Sequence, residues 1–284
     1  MKTEQKEKIR HAVRERYGSV AEKGVSVGGE SLASCCGSEA RTFETNPTVS
    51  QGCCGQDLPL DKMSRALGYS REAINSVPEG ANMGLGCGNP VALASLKPGE
   101  TVVDLGCGGG FDCFLASREV GETGKVIGVD MTPEMLSKAR MNVEETGRKN
   151  VEFRLGEIEH LPVADNHADV IMSNCVINLS PDKLDVYREA FRVLKPGGRL
   201  MISDILATAR IPDDIRNNLA LLTACIGGAA TIDDTNKMLE EAGFQKITIT
   251  PNEKSREFIE AWVPGKGIEG HVVSATIEAV KPRL

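Results

Sequence analysis

From Thr101 onward, short apolar runs alternate with longer amphipathic stretches. "TVVDLG", "KVIGVD", "VEFRLG", "ADVIMSN" and "RLMISDI" are rich in Val, Ile and Leu and are bounded by glycine or polar residues. Runs of that length and composition predict buried strands. Between them, "FLASREV", "TPEMLSKARMNVEETG" and "PDKLDVYREAFRVLKPGG" repeat apolar residues at helical spacing. Thr132 is placed to cap the second helix with Pro133 at its first turn, and the third runs to a Pro-Gly-Gly stop. Continuous apolar strands alternating with amphipathic helices predict an α/β fold with a doubly wound, mostly parallel sheet. A helix-rich insertion over residues 212–242 precedes two late strands, "FQKITIT" and "HVVSATIEAV". These complete a seven-stranded sheet as a hairpin-like pair closing one edge.

Upstream the pattern changes. Residues 1–20 alternate charged and apolar positions at helical spacing, which predicts a solvated helix with one sticky face. From Val25 to Asp57 the chain turns to Gly, Ser, Thr and Cys, with "CCG" at Cys35–Gly37 repeated at Cys53–Gly55, and reads as a long loop. "DKMSRALGYSREAINSVPEGANMG" reads as one helix or two ending near Pro78.

Composition narrows the classes. Hydrophobic content of 40% and charged content of 26% are those of an ordinary globular protein. A net charge of −7 argues against nucleic acid or an anionic membrane as partner. No apolar run reaches the ~20 residues of a membrane span, and the charged N-terminus lacks the apolar centre of a signal peptide. The expected location is cytoplasmic, where thiols stay reduced. Nine cysteines then point to catalytic, metal-binding or redox roles.

"VVDLGCGGGFD" joins the first strand to its helix, and its glycines let the backbone turn sharply and approach a ligand. Phe111 stands where a dinucleotide fingerprint needs its third glycine, and Asp104 lies inside the strand before the turn. Asp130, at the end of the second strand, is placed either to hold ribose hydroxyls or to cap a helix. "DLGCGGGFD", "VIGVDMT" and "VLKPGGRLMISD" together resemble the class I, Rossmann-like methyltransferases over roughly residues 95–205. The resemblance implies S-adenosyl-L-methionine as methyl donor. It places Asp104, Gly106 and Gly108 near the methionine moiety, Asp130 on the ribose, and Met131, Glu157 and Ile158 around the adenine. Asn174 falls near the amino-acid part. The chain then divides into an N-terminal helix and Cys-rich loop (1–60), a cofactor-binding core (61–210), and an insertion with the closing strands (211–284).

The four histidines, His11, His160, His167 and His271, form no evident constellation for a general base. Cysteines are better placed: Cys87 in "GLGCGNP", flanked by glycines that leave the thiol unobstructed; Cys175 in "SNCVINLS", where the fourth strand ends; and Cys225 in "LLTACIGGAAT". Brought together at the carboxyl edge of the sheet, three thiolates would suit a soft, thiophilic ion. Cys107 and Cys113 read as small core hydrophobes, and the absence of any C-x-x-C pair weighs against structural zinc. "GLGCGNP", "SNCVINLS" and "ACIGGA" in this order resemble the arsenite methyltransferases over about residues 50–230. The resemblance implies As(III) as substrate on Cys87, Cys175 and Cys225. It also implies a further cysteine of the N-terminal loop, Cys53 or Cys54, for binding or disulfide exchange. The partners implied are arsenite with glutathione or other small thiols, and a thioredoxin-type reductant. The competing readings are a methyltransferase for a small organic acceptor and a metalloid-binding sensor without turnover.

Overall fold

The computed structural model describes residues 3–23, 60–216, 218–262 and 268–283. Chain order is α1 (Thr3–Lys23), α2 (Leu60–Ala66), α3 (Arg71–Asn75), α4 (Pro90–Ala94), β1 (Thr101–Leu105), α5 (Phe111–Val120), β2 (Lys125–Asp130) and α6 (Pro133–Thr146). There follow β3 (Val151–Leu155), β4 (Ala168–Asn174), α7 (Lys183–Val193) and β5 (Leu194–Ala207). The insertion contains α8 (Asp213–Arg216), α9 (Leu219–Thr223) and α10 (Ile232–Ala242), and β6 (Gln245–Asn252), α11 (Ser255–Trp262) and β7 (Val272–Val280) end the chain. Cys35, Cys36, Cys53 and Cys54 lie outside the described residues.

The sheet has the order β3-β2-β1-β4-β5-β7-β6. The first five strands are parallel, with Val103 opposite both Ile127 and Ile171. Alternate strand residues feed opposite cores. Val102, Val126 and Met172 pack with Phe114 of α5 and Leu136 of α6, whereas Val103, Ile127 and Ile171 pack with Tyr187 of α7 and Leu239 of α10. Both faces are therefore covered, which is why the strands read as unbroken apolar runs. Strand order reverses between β1 and its neighbour β4, and a crevice opens there at the carboxyl ends of the strands.

Two elements differ from the sequence reading. The helix expected to run through Pro-Gly-Gly stops at Val193, and β5 begins at Leu194. An irregularity opposite Ala168–Val170 lets Pro196 sit in the strand without breaking the ladder. The late pair does close the sheet, but β7 runs antiparallel between β5 and β6, with α11 in the connection. The last strand is thus interior and β6 forms the edge. Among the described residues no helix is long and apolar enough to cross a membrane.

Arg199 on β5 locks the entry to the sheet. Its Nη1 and Nη2 bind the two oxygens of Glu100 at 2.7 and 2.8 Å, and its Nε binds the carbonyl of Ala94 at 2.8 Å. Burial pushes the Glu100 carboxyl up, but the hydrogen bonds and charge of Arg199 outweigh it and hold the group below its ordinary value of 4.5. A carboxylate with a depressed pKa stabilises the fold above that value and loses the contribution as pH falls through the folded pKa. Glu100→Gln is expected to cost about 1–3 kcal/mol at neutral pH. In urea unfolding at a series of pH values, the wild-type and variant curves should converge on acidification.

Candidate active site

A cavity of about 1130 Å3, counting its open mouth, lies at the carboxyl ends of β1, β2 and β4. Its floor is the glycine loop. The amides of Gly106 and Cys107 both reach the carbonyl of Val129, and Gly108 N–H donates to Asp130 Oδ2 at 2.9 Å. Asp130 Oδ1 accepts from Thr132 N–H at 2.9 Å. One side chain thus joins the loop to the start of α6. Asp104, Gly106, Gly108, Asp130, Met131, Ile158 and Asn174 all line the cavity. Glu157 instead meets Arg10 Nε and Arg14 Nη1, each at 3.4 Å, and Glu159 is the acid in the wall.

The wall beside the glycine loop is acidic and buried. Asp112 accepts from Tyr69 O–H at 2.6 Å and from Asn174 Nδ2 at 3.0 Å, while Cys113 Sγ donates to Asp104 at 3.2 Å. Burial raises the pKa of Asp104, and the charge of Asp112 adds to it. Burial also raises Asp112, against the hydrogen bonds from Tyr69 and Asn174. Two buried acids that resist ionising together are receptive to a cationic ligand group. Met131 and Ile158 add apolar surface to the same cavity.

The thiols meet on the adjoining side. Cys175 lines the cavity, and its sulfur is joined to that of Cys87 in a disulfide with Cα atoms 5.8 Å apart. The loop carrying Cys87 lies hard against the sheet. A Cβ on Gly86 would fall 2.6 Å from Asn174 Nδ2, and one on Gly88 would fall 2.7 Å from Ser203 Cβ. The flanking glycines therefore serve close approach rather than an unobstructed thiol. Cys87 N–H donates to Asn174 Oδ1 at 3.0 Å, and the Cys87 carbonyl accepts from Ser274 O–H at 2.8 Å. Cys175 N–H donates to the Ser203 carbonyl at 2.8 Å, and Cys225 Sγ donates to the Cys175 carbonyl at 2.7 Å. Cys175 and Cys225 hold positive φ of 60° and 64°, a conformation of order 1–3 kcal/mol above the ordinary that surrounding structure must impose.

Several members of the site were not singled out from the sequence. Asp204 on β5 is 1% exposed, and its carboxylate lies within 4.8 Å of the sulfurs of Cys87 and Cys175. Burial pushes it up to about 7, against the hydrogen bond from Ile205 N–H and the charge of Lys183. Its signal was available, since an acid inside "LMISDIL" is as unusual as Asp104 inside "TVVDL". Helix α1 gave no such signal. Val13 is 2% exposed and packs in the cluster that holds the three cysteines, and Arg10, Val13 and Tyr17 line the cavity. Arg10 Nη2 reaches Glu159 at 3.2 Å and Asp182 at 3.4 Å, and Arg16 Nη1 donates to Thr223 Oγ1 at 2.9 Å. The sticky face of the N-terminal helix is thus part of the roof. None of the four histidines lines the cavity. Cys107 and Cys113 are buried in the α5–α6 core, as read, although Cys113 also holds Asp104.

A family model described as a methyltransferase domain matches residues 96–243. The chain is 50% identical over 276 residues to an arsenite methyltransferase of Halobacterium salinarum, covering 97% of this chain and 67% of that protein. It is 36% identical over 204 residues to a human arsenite methyltransferase, covering 68% of this chain and 52% of that protein. Among solved structures, an arsenic(III) S-adenosylmethionine methyltransferase from Chlamydomonas reinhardtii superposes with a TM-score of 0.58 at 32% identity, covering 78% of this chain and 74% of that one. The chain spans about two thirds of the archaeal relative and about half of the human one.

Burial pushes the Cys107 thiol up to about 11 and raises Cys113 and Cys225 further. Thiolate is the reactive form. Iodoacetamide at neutral pH should therefore leave all three unmodified until the chain unfolds, as read by peptide mass mapping. Rapid alkylation of Cys225 in the folded protein would contradict this burial.

Proposed function

The chain belongs to the arsenite methyltransferase family, and from that premise we propose that it moves a methyl group from S-adenosylmethionine to trivalent arsenic held on its own thiolates. The observation that carries this reading is the Cys87–Cys175 pair beside the cavity, with Cys225 Sγ hydrogen-bonded to the Cys175 carbonyl in the same buried cluster. In the reduced chain each As–OH of arsenite leaves as water, taking one thiol proton, as an As–S bond forms. Three such exchanges need no resident base, in keeping with the absence of histidine from the cavity wall. Asp104 and Asp112 take the cationic amino-acid end of the cofactor, Asp130 the ribose, and Met131 and Ile158 the adenine. The bound sulfonium supplies an electrophilic methyl group. The arsenic lone pair forms the As–C bond as the S–CH3 bond breaks and S-adenosylhomocysteine leaves with that electron pair, and arsenic becomes formally pentavalent. Two of its thiolates then couple, returning two electrons to arsenic and leaving a disulfide; water supplies the hydroxide that completes trivalent methylarsenic and releases one proton.

Cys87 and Cys175 are already close enough to form that disulfide, which supports assigning the step to them. Cys53 or Cys54 serves as the exchange partner that carries the oxidation away. Glutathione or another small thiol delivers arsenite, and a thioredoxin-type dithiol supplies the two electrons. The setting is the reducing cytoplasm.

The test incubates the full chain with arsenite, labelled S-adenosylmethionine and a dithiol. Methylated arsenic and S-adenosylhomocysteine are expected. Cys175→Ser and Cys225→Ser should each slow turnover at least about a hundredfold, because a misplaced acceptor atom alone costs that much. Activity on an organic acceptor that survives Cys175→Ser would assign the chain to small-molecule methylation. Tight arsenite binding without transfer would assign it to sensing.

A further inference from the structure

Asp204 has no part in that reaction, because arsenic bound to three thiolates needs no carboxylate. Yet it is buried to 1% exposure beside two cysteines that are themselves 1% and 4% exposed. Ligand atoms from Cys87, Cys175 and Asp204 all lie within 4.8 Å of one another. They come from three separate pieces of chain: the loop before α4, the residue after β4, and β5.

Hydrogen bonds hold Asp204 in place. Oδ1 accepts from Asn178 Nδ2 at 2.9 Å and from Ile205 N–H at 2.7 Å, so both its lone pairs are engaged. Oδ2 accepts from Ile177 N–H at 2.9 Å, and the backbone of Asn178 also bonds the carboxylate. Together these bonds set the orientation of the carboxylate beside the two sulfurs. Outer hydrogen bonds that orient a carboxylate are a regular feature of metal sites.

Two thiolates and one carboxylate suit a borderline-soft divalent cation in a four-coordinate site with one position open. A divalent ion would offset two of the three negative charges there, and Lys183, which faces Asp204, opposes the third. The donor set differs from that for trivalent arsenic by exchanging one sulfur for oxygen.

We propose that the reduced chain binds one thiophilic divalent cation, of the Zn2+ or Cd2+ class, on Cys87 Sγ, Cys175 Sγ and a carboxylate oxygen of Asp204, with water in the fourth position. Such an ion occupies two of the three sulfurs that arsenite needs, so it competes with arsenite. The competition rests on the arsenic reading; the binding does not. The disulfide must first gain two electrons and two protons. A water-soluble phosphine supplies the electrons and becomes the phosphine oxide, taking its oxygen from water. The two thiol protons pass to buffer as the cation binds.

The experiment uses the full chain with serine at positions 35, 36, 53 and 54, so that cysteines outside the described residues do not contribute. After reduction and removal of phosphine, it is titrated with Zn2+ and examined by zinc X-ray absorption. One ion per chain is expected, with two sulfurs at about 2.3 Å and oxygen at about 2.0–2.2 Å. Asp204→Asn should weaken binding by about tenfold or more, with retained S-adenosylmethionine binding as the check on its fold. A shell of three or more sulfurs overturns the proposal, as does equal binding by the oxidised chain or none by the reduced one. Should the variant not fold, the sulfur count in the unsubstituted site decides alone. Methyl transfer to arsenite is measured separately, so failure of zinc binding leaves the arsenic reading standing.

Discussion

The side chain of Asn174 is the interaction on which the site depends. At the end of β4, its Oδ1 receives the amide of Cys87, while its Nδ2 faces the Gly88 carbonyl, Tyr69 and Asp112 at 2.9–3.1 Å. One amide therefore holds the sulfur-bearing loop on one side and the acidic wall of the cofactor cavity on the other. Such a network works only if the backbone comes very close. Glycine on both sides of Cys87 permits this, because a side chain at either position would collide with Asn174 or Ser203. Moving Asn174 would separate the Cys87 loop from the acidic wall.

Burial then sets the chemistry. Asp104, Asp112, Asp130 and Asp204 all have raised pKa values because they are removed from water. Cys225 is held as the thiol for the same reason. A pocket of this kind does not rest comfortably with negative charge unless something positive enters it. Such a pocket is suited to a cationic ligand group on the acidic side of Asn174 and to a thiophilic one on the sulfur side. The roof matters as well. Arg10 and Tyr17 of α1 border the cavity, so the N-terminal helix forms part of its wall.

Much of this was legible in the chain itself. Strand–helix alternation named the sheet, because both faces of a parallel sheet are buried and its strands must be apolar throughout. The glycine loop, Asp130 and the three cysteines stood in recognisable local patterns, and the structure brings Cys87, Cys175 and Cys225 into one buried cluster. Ile158 lines the cavity as expected, whereas Glu157 pairs with Arg10 and Arg14 of α1 and Glu159 lines the wall. No spacing within "GEIEHLP" encodes where a helix 140 or more residues away will dock.

What the sequence determined by itself is what local spacing and motif resemblance can carry: the elements, the glycine turn and the cofactor class. Tertiary structure decided which atoms meet. The partner of Cys175 lies 88 residues away, Asp204 reaches both sulfurs only because β5 pairs with β4 in one register, and β7 enters between β5 and β6 against chain order. Each of these is a contact between segments whose relative placement is set by packing two cores at once. Periodicity records which face a residue takes, and it holds no record of who stands opposite.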